Sequence, residues 1–139
     1  MTTANTIKKK YQNKKAFIKI KSAIINPVNG RQIPLDCNCR IDTGFDGGLM
    51  IPFWHKDEIE SINVQPRSTT ITVADGNKIP AFVCAAHIQE IENHIFPMPG
   101  RPVMLVMCGN WAGVLLGMDA LKQSTILFDG PNQDYTMKP

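Results

Sequence analysis

Alternation of apolar and polar residues with a period of two dominates the chain. From Ile33 the odd positions read Ile33, Leu35, Cys37, Cys39 and Ile41, while the even ones read Pro34, Asp36, Asn38, Arg40 and Asp42. That is the signature of a half-buried strand. Phe17 to Ile25 is rich in isoleucine with Lys19 and Lys21 interposed, and Asn26-Pro27-Val28-Asn29-Gly30 between the two runs supplies turn chemistry, so the pair is expected to form a hairpin whose second strand delivers Asp42 to a loop. Leu49-Met50-Ile51 is a short apolar run. Pro52 is placed to start a helical turn over Phe53 to Glu60, because the first helical position tolerates proline. Ser68 to Val73 and Lys78 to His87 are two further β-rich segments joined across Ala74-Asp75-Gly76-Asn77, and Asp-Gly between alternating runs predicts a second hairpin, long enough to project from the body. Asn93 to Pro102 holds three prolines and is expected to be a loop. Val103 to Met107 and Val114 to Leu116 have the compact apolar character of buried strands, and Ser124 to Phe128 makes a last strand. Many short strands, one or two helical turns and no alternation of strand with long helix predict a mainly β, barrel-like domain.

Composition refines this picture without changing it. The 139 residues, 43% hydrophobic and 19% charged, suit one globular domain with a real core. Fifteen basic residues face twelve acidic ones, but Lys8, Lys9, Lys10, Lys14 and Lys15 all fall in the first fifteen positions, which leaves ten basic residues against twelve acidic ones in the remainder. Residues 1–15 are therefore expected to be a flexible basic leader, 16–130 the folded domain, and 131–139 a tail. A leader with Tyr11 as its only aromatic is a weak nucleic-acid signal, so no nucleic-acid partner is expected. Charge at the start without a following apolar stretch, and no run of eighteen apolar residues anywhere, predict neither export nor membrane insertion and a cytoplasmic location.

The same location predicts reduced thiols at Cys37, Cys39, Cys84 and Cys108. Cys37-x-Cys39 lacks the usual zinc-knuckle spacing and has no histidine pair beside it. Two residues apart on a strand they share a face, which makes core cysteines the simpler reading, and no metal is expected. His55, beside Trp54, reads as a surface or packing residue, and neither His87 nor His94 has a serine or cysteine partner that would make a nucleophile. Met98, Met104, Met107 and Met118 read as adaptable core or pocket wall. Gly47-Gly48 follows an acid and has no lysine after it, so it is not a phosphate loop and no nucleotide or other cofactor is expected.

Three features stand in a telling order: a strand ending in Asp42-Thr43-Gly44, a projecting hairpin with its turn at Asp75-Gly76, and an apolar strand closing on Leu115-Leu116-Gly117. This order resembles the retropepsin-like aspartic proteases, in particular the bacterial and archaeal group whose motif continues as Asp-Thr-Gly-Phe. Phe45, the Leu49 to Pro52 stretch and Leu115-Leu116-Gly117-Met118-Asp119-Ala120-Leu121 fit that group, and the resemblance runs from roughly Phe17 to Asp129. Asp-Thr-Gly alone is as readily a plain turn; its combination with the later features is specific.

The resemblance implies a retropepsin-like acid-protease barrel with a flap hairpin and an aspartic endopeptidase activity. Two close carboxylates share one proton, so one activates water while the other protonates the scissile carbonyl. The chain has a single Asp-Thr-Gly, so Asp42 would face Asp42 of a second copy in a homodimer acting on a peptide or protein substrate. Thr43 would hold the paired loops across the axis and Gly44 would let the backbones approach. Gly117 would pass behind the loop, with Leu115 and Leu116 packed under it. Phe45, Asp46, the tip residues Ala74, Asp75, Gly76 and Asn77, and Trp111 would contact substrate, and Asp119 reads as a helix N-cap before Ala120. Two departures stand out. Arg40 replaces an aliphatic residue two positions before the aspartate, where a cation works against a shared proton, and the flap tip is Asp75-Gly76 rather than glycine-rich. A noncatalytic domain that binds extended peptides or serves as a dimerisation module is the alternative.

Overall fold

In the computed structural model, residues 6–72, 75–95, 102–109, 114–122 and 124–138 are described. The architecture is mainly β, as the alternation predicts. The first hairpin pairs β2 (Phe17–Ile25) with β3 (Gln32–Ile41) in register from Phe17 opposite Arg40 to Ile25 opposite Gln32. Asn26 shapes its turn: the side-chain oxygen accepts from the Val28 N–H at 2.9 Å while Nδ2 donates to the Ile62 carbonyl at 2.8 Å. β4 (Leu49–Pro52) runs into one 3-10 turn at Phe53–His55 and then α1 (Lys56–Glu60), the helical turn that Pro52 signals. The second hairpin joins β5 (Arg67–Thr72) to β6 (Lys78–Ile91), a strand of fourteen residues. A two-residue strand, β7 (His94–Ile95), pairs back onto β6 within the segment expected to be all loop. Then follow β8 (Pro102–Cys108), β9 (Leu115–Leu116), α2 (Met118–Leu121) and β10 (Thr125–Asp129).

These strands form a sheet in the order β2-β3-β9-β4-β8-β6-β5, and the length of β6 lets its far end also pair with β2. The sheet thereby folds back on itself around a core of Ile18, Ile24, Leu49, Ile51, Ile59, Ile88, Leu105, Met107 and Leu116, all essentially without solvent contact. Cys39 lies in this core and Cys37 is half-buried beside it on the same face of β3. A hydrogen bond with Cys37, reinforced by burial, keeps the Cys39 thiol protonated well beyond its ordinary range. The opposite face of the sheet carries a second, smaller apolar cluster of Met50, Ala81, Val83, Val106, Cys108 and Leu115.

The chain ends differ from expectation. Ile7–Lys10 of the basic leader is a strand, β1, and Asp134–Lys138 of the tail is another, β11. β11 lies between β1 and β10 in a separate three-stranded antiparallel sheet. The lysines disguise an ordinary alternation. Ile7 is buried, Lys8 and Lys10 are exposed, and Lys9 is half-buried because its ammonium meets Glu92 at 2.8 Å, which offsets the cost of drawing a charge inward. Tyr135 of β11 is fully buried and its hydroxyl donates to the Phe17 carbonyl at 2.6 Å, fastening this sheet to the end of the first hairpin where Asp42 emerges. Among the described residues no helix is long and apolar enough to cross a membrane.

Candidate active site

Asp42 follows directly on β3, and its backbone is held from both sides. Its N–H donates to the Leu116 carbonyl at 2.9 Å, and its carbonyl accepts from the Phe45 N–H at 3.2 Å. The strand that receives the first of these bonds is β9, inserted between β3 and β4: Arg40 and Ile41 pair in parallel with Leu115 and Leu116, which pair antiparallel with Met50 and Leu49 on their other side. The two strands that flank the Asp42 loop are therefore clamped apart by a strand from more than sixty residues later in the chain. The loop cannot collapse into a hairpin turn.

Behind the loop the fit is tight. The Phe45 carbonyl accepts from the Met118 N–H at 2.7 Å, and the Gly117 N–H donates to the Gly48 carbonyl at 2.9 Å. A Cβ on Gly117 would overlap the carbonyl oxygens of Gly47 and Phe45 and the Phe45 ring, and one on Gly48 would lie 2.6 Å from the Val103 Cβ. Both positions need glycine for lack of space. Gly117 thus stands where the resemblance puts it, close behind the loop, with Leu115 and Leu116 buried beneath. The need for Gly48 was not read from the sequence, although a glycine pair directly before a buried run is a signal of close backbone approach.

Asp119 is not the N-cap of α2. Gly117 occupies that position, and Asp119 lies inside the first turn with its carboxylate accepting from the Met104 N–H at 2.8 Å and from Lys122 Nζ at 3.0 Å. Its role is to tie α2 to β8.

The Asp42 carboxylate opens on a cleft of about 680 Å³. Asp42, Gly44, Phe45 and Asp46 line it on the loop side, Met50, Met104, Val106 and Leu115 form the floor, and Ile71 and Thr72 of β5 form the far wall. Oδ1 of Asp42 accepts from the Gly44 N–H at 2.9 Å, which fixes the orientation of the carboxylate. Oδ2 lies 3.9 Å from Nη2 of Arg40, with both side chains about one-third exposed. Arg40 therefore points along the cleft wall toward the aspartate rather than away into bulk solvent, and at this exposure the ion pair is worth about 1 kcal/mol or less. Thr43 and Asp46 are exposed on the loop.

The expected tip residues Asp75, Gly76 and Asn77 form a self-contained turn. Asp75 accepts from the Asn77 N–H at 2.9 Å and from its side-chain amide at 3.0 Å, and Gly76 takes a φ of +87°. They lie beyond the cleft lining, where β5 contributes Ile71 and Thr72 instead. Ala74, Met98 and Trp111 lie outside the described residues. Of the other methionines, Met104 is pocket wall as expected, Met107 is core, and Met118 is partly exposed at the start of α2. Among the described residues no three His, Cys, Asp or Glu side chains converge as a metal site.

No protein-family model matches the chain, and no curated protein or solved structure is significantly similar to it.

Proposed function

We propose that the protein is a homodimeric aspartic endopeptidase of retropepsin-like fold in which Asp42 of each subunit contributes half of the catalytic pair. The observation that carries this reading is a carboxylate on a loop clamped by Leu115-Leu116-Gly117 and opening on a cleft with an apolar floor, walled by β5 of the second hairpin. A loop fixed at this many points keeps an acid in one position, which proton transfer requires. The exposure of Thr43 and Gly44 leaves the same loop open to a second copy.

With two Asp42 carboxylates sharing one proton, the ionised one takes a proton from water as its oxygen attacks the peptide carbonyl carbon. The protonated one gives its proton to the carbonyl oxygen. Breakdown of the tetrahedral intermediate breaks the C–N bond: the leaving nitrogen takes up a proton from the carboxyl that accepted it from water, and one hydroxyl of the intermediate returns its proton to the other carboxylate as the product carboxyl forms, which restores the shared proton. An extended substrate lying between the hairpin and the floor would bind through main-chain hydrogen bonds, with side chains seated in the Met50, Val106 and Leu115 surface.

A second reading, a noncatalytic domain that binds peptides or dimerises, is favoured by one feature: the Asp42 carboxylate already has a backbone donor and an arginine within its own chain. The two readings separate on incubation of wild type and Asp42→Asn with a mixture of denatured proteins across acidic to neutral pH, read by mass spectrometry. Cleavage by wild type alone supports the peptidase. Equal cleavage by both proteins overturns it, and no cleavage by a verified folded dimer favours the binding module.

A further inference from the structure

One row of directly paired residues crosses the cleft face of the sheet: Arg40 on β3, Leu115 on β9, Met50 on β4, Val106 on β8, Val83 on β6 and Arg67 on β5. Residues paired directly across neighbouring strands point to the same face, so these six side chains share one surface. The four between the arginines are apolar and buried to within a few per cent. Five interstrand steps of about 4.8 Å give this trough a length of roughly 24 Å along the sheet surface.

Its two ends are chemically different. At the first, Arg40 is engaged by Asp42, and Asp46 adds an exposed carboxylate. At the other, a second hollow of about 420 Å³ is lined by Arg67, Val83, Cys84, Ala85, Pro102, Val103 and Met104. Met104, half-exposed, lines both hollows and is the saddle between them. Among the described residues Arg67 is the one charged side chain lining the second hollow, is exposed and makes no ion pair.

We infer that Arg67 is a specificity residue that takes an acidic side chain of an extended peptide, about five to seven residues from the bond held at Asp42. The occupant follows from the row itself. A groove with an apolar floor and the exposed guanidinium of Arg67 at its far end selects a mostly apolar segment carrying a carboxylate at that distance, since a strand rises about 3.3 Å per residue. This inference rests on the peptide-binding reading of the cleft, but not on hydrolysis.

The test uses a synthetic library of randomised dodecapeptides in two arms. In the first, cut sites made by wild type and by Arg67→Glu are compared. In the second, peptides retained by Asp42→Asn and by Asp42→Asn/Arg67→Glu are sequenced, which needs no catalysis. Asp and Glu should be enriched about two- to fivefold over Lys and Arg at one position in the wild-type background, as suits a partly exposed pair. The charge reversal should transfer that enrichment to Lys and Arg without moving the cut site. Retained acid preference in the reversed variants, or no preference in peptides that wild type does cut or retain, overturns the role of Arg67 alone. Binding without cutting overturns the peptidase and leaves Arg67 to the second arm. Neither cutting nor retention overturns both.

Discussion

Gly117→Ala is the sharpest test of the way the Asp42 loop is supported. The backbone at Gly117 is extended (φ −113°), so alanine meets no conformational penalty there and any cost comes from space alone. A Cβ would come closer than 3.0 Å to three atoms, the carbonyl oxygens of Gly47 and Phe45 and a ring carbon of Phe45. The ring can rotate away; the two carbonyls cannot. They accept from the N–H groups of Asp119 and Met118, so a shift that relieves the overlap stretches at least one of these hydrogen bonds. Overpacking costs about 1–3 kcal/mol and a weakened backbone bond about 1 kcal/mol more, which together give roughly 3 kcal/mol. For a chain of this size that lowers the Tm by about 10 °C. Urea unfolding of wild type, Gly117→Ala and Gly109→Ala measures it, with Gly109 as the control because among the described residues nothing lies within 4 Å of a Cβ built there. Gly117→Ala should lose at least 2 kcal/mol more than the control, and any peptidase activity should fall with it because the loop moves. A difference under 0.5 kcal/mol would show that the loop is not pressed against Gly117 and would refute the reasoning.

Four further outcomes are expected. Deletion of residues 1–10 removes β1 with its buried Ile7 and exposes the edge of β11, so it should destabilise the fold by roughly 1.5–3 kcal/mol or more on the hydrophobic term, whereas a free leader would cost nothing; urea titration decides. Asp119→Ala leaves the Met104 N–H without its carboxylate and should cost about 1–2 kcal/mol, with faster hydrogen exchange at Met104 as the local readout. Tyr135→Phe deletes the hydroxyl bonded to the Phe17 carbonyl and should cost about 1 kcal/mol at neutral pH. The fold should also weaken in alkali. Burial pushes the Cys84 thiol from 9.0 up to about 11, and burial with the nearby Glu92 charge raises the Tyr135 phenol above its ordinary 10.0. Both hold their protons more tightly folded than unfolded, so their contribution is complete below pH 9 and is lost as pH rises through the folded values. The urea midpoint should fall above pH 9, and less steeply in Cys84→Ala/Tyr135→Phe; equal slopes would refute this assignment.

The two hairpins and the helical turn after Pro52 were legible in the sequence because their causes are local. Strand alternation in Phe17 to Ile25 and Ile33 to Ile41, the turn at Asn26 to Gly30, and Asp75-Gly76 between two β-rich runs each act within a dozen residues. So did the placement of Asp42 at a strand end. Less legible were elements whose pattern depends on a distant partner. Ile7–Lys10 carries three lysines and reads as solvated charge until Glu92 is brought beside Lys9 and β11 beside the strand. Asp119 reads as a cap until the Met104 N–H arrives from β8.

What the tertiary structure alone decided is the surface on which the proposed chemistry rests. Nothing within Leu115-Leu116 says that these two residues wedge between β3 and β4, because pairing of strands far apart in the chain is settled by which edges can bury apolar faces together. The same nonlocal pairing sets Arg40 and Arg67, twenty-seven positions apart, at opposite ends of one apolar row. The sequence by itself determined the strands of the two hairpins and the acid at the end of one of them, since period and turn chemistry are properties of neighbouring residues. The cleft in front of that acid exists only because six strands meet in one order and one register, which no local run of residues encodes.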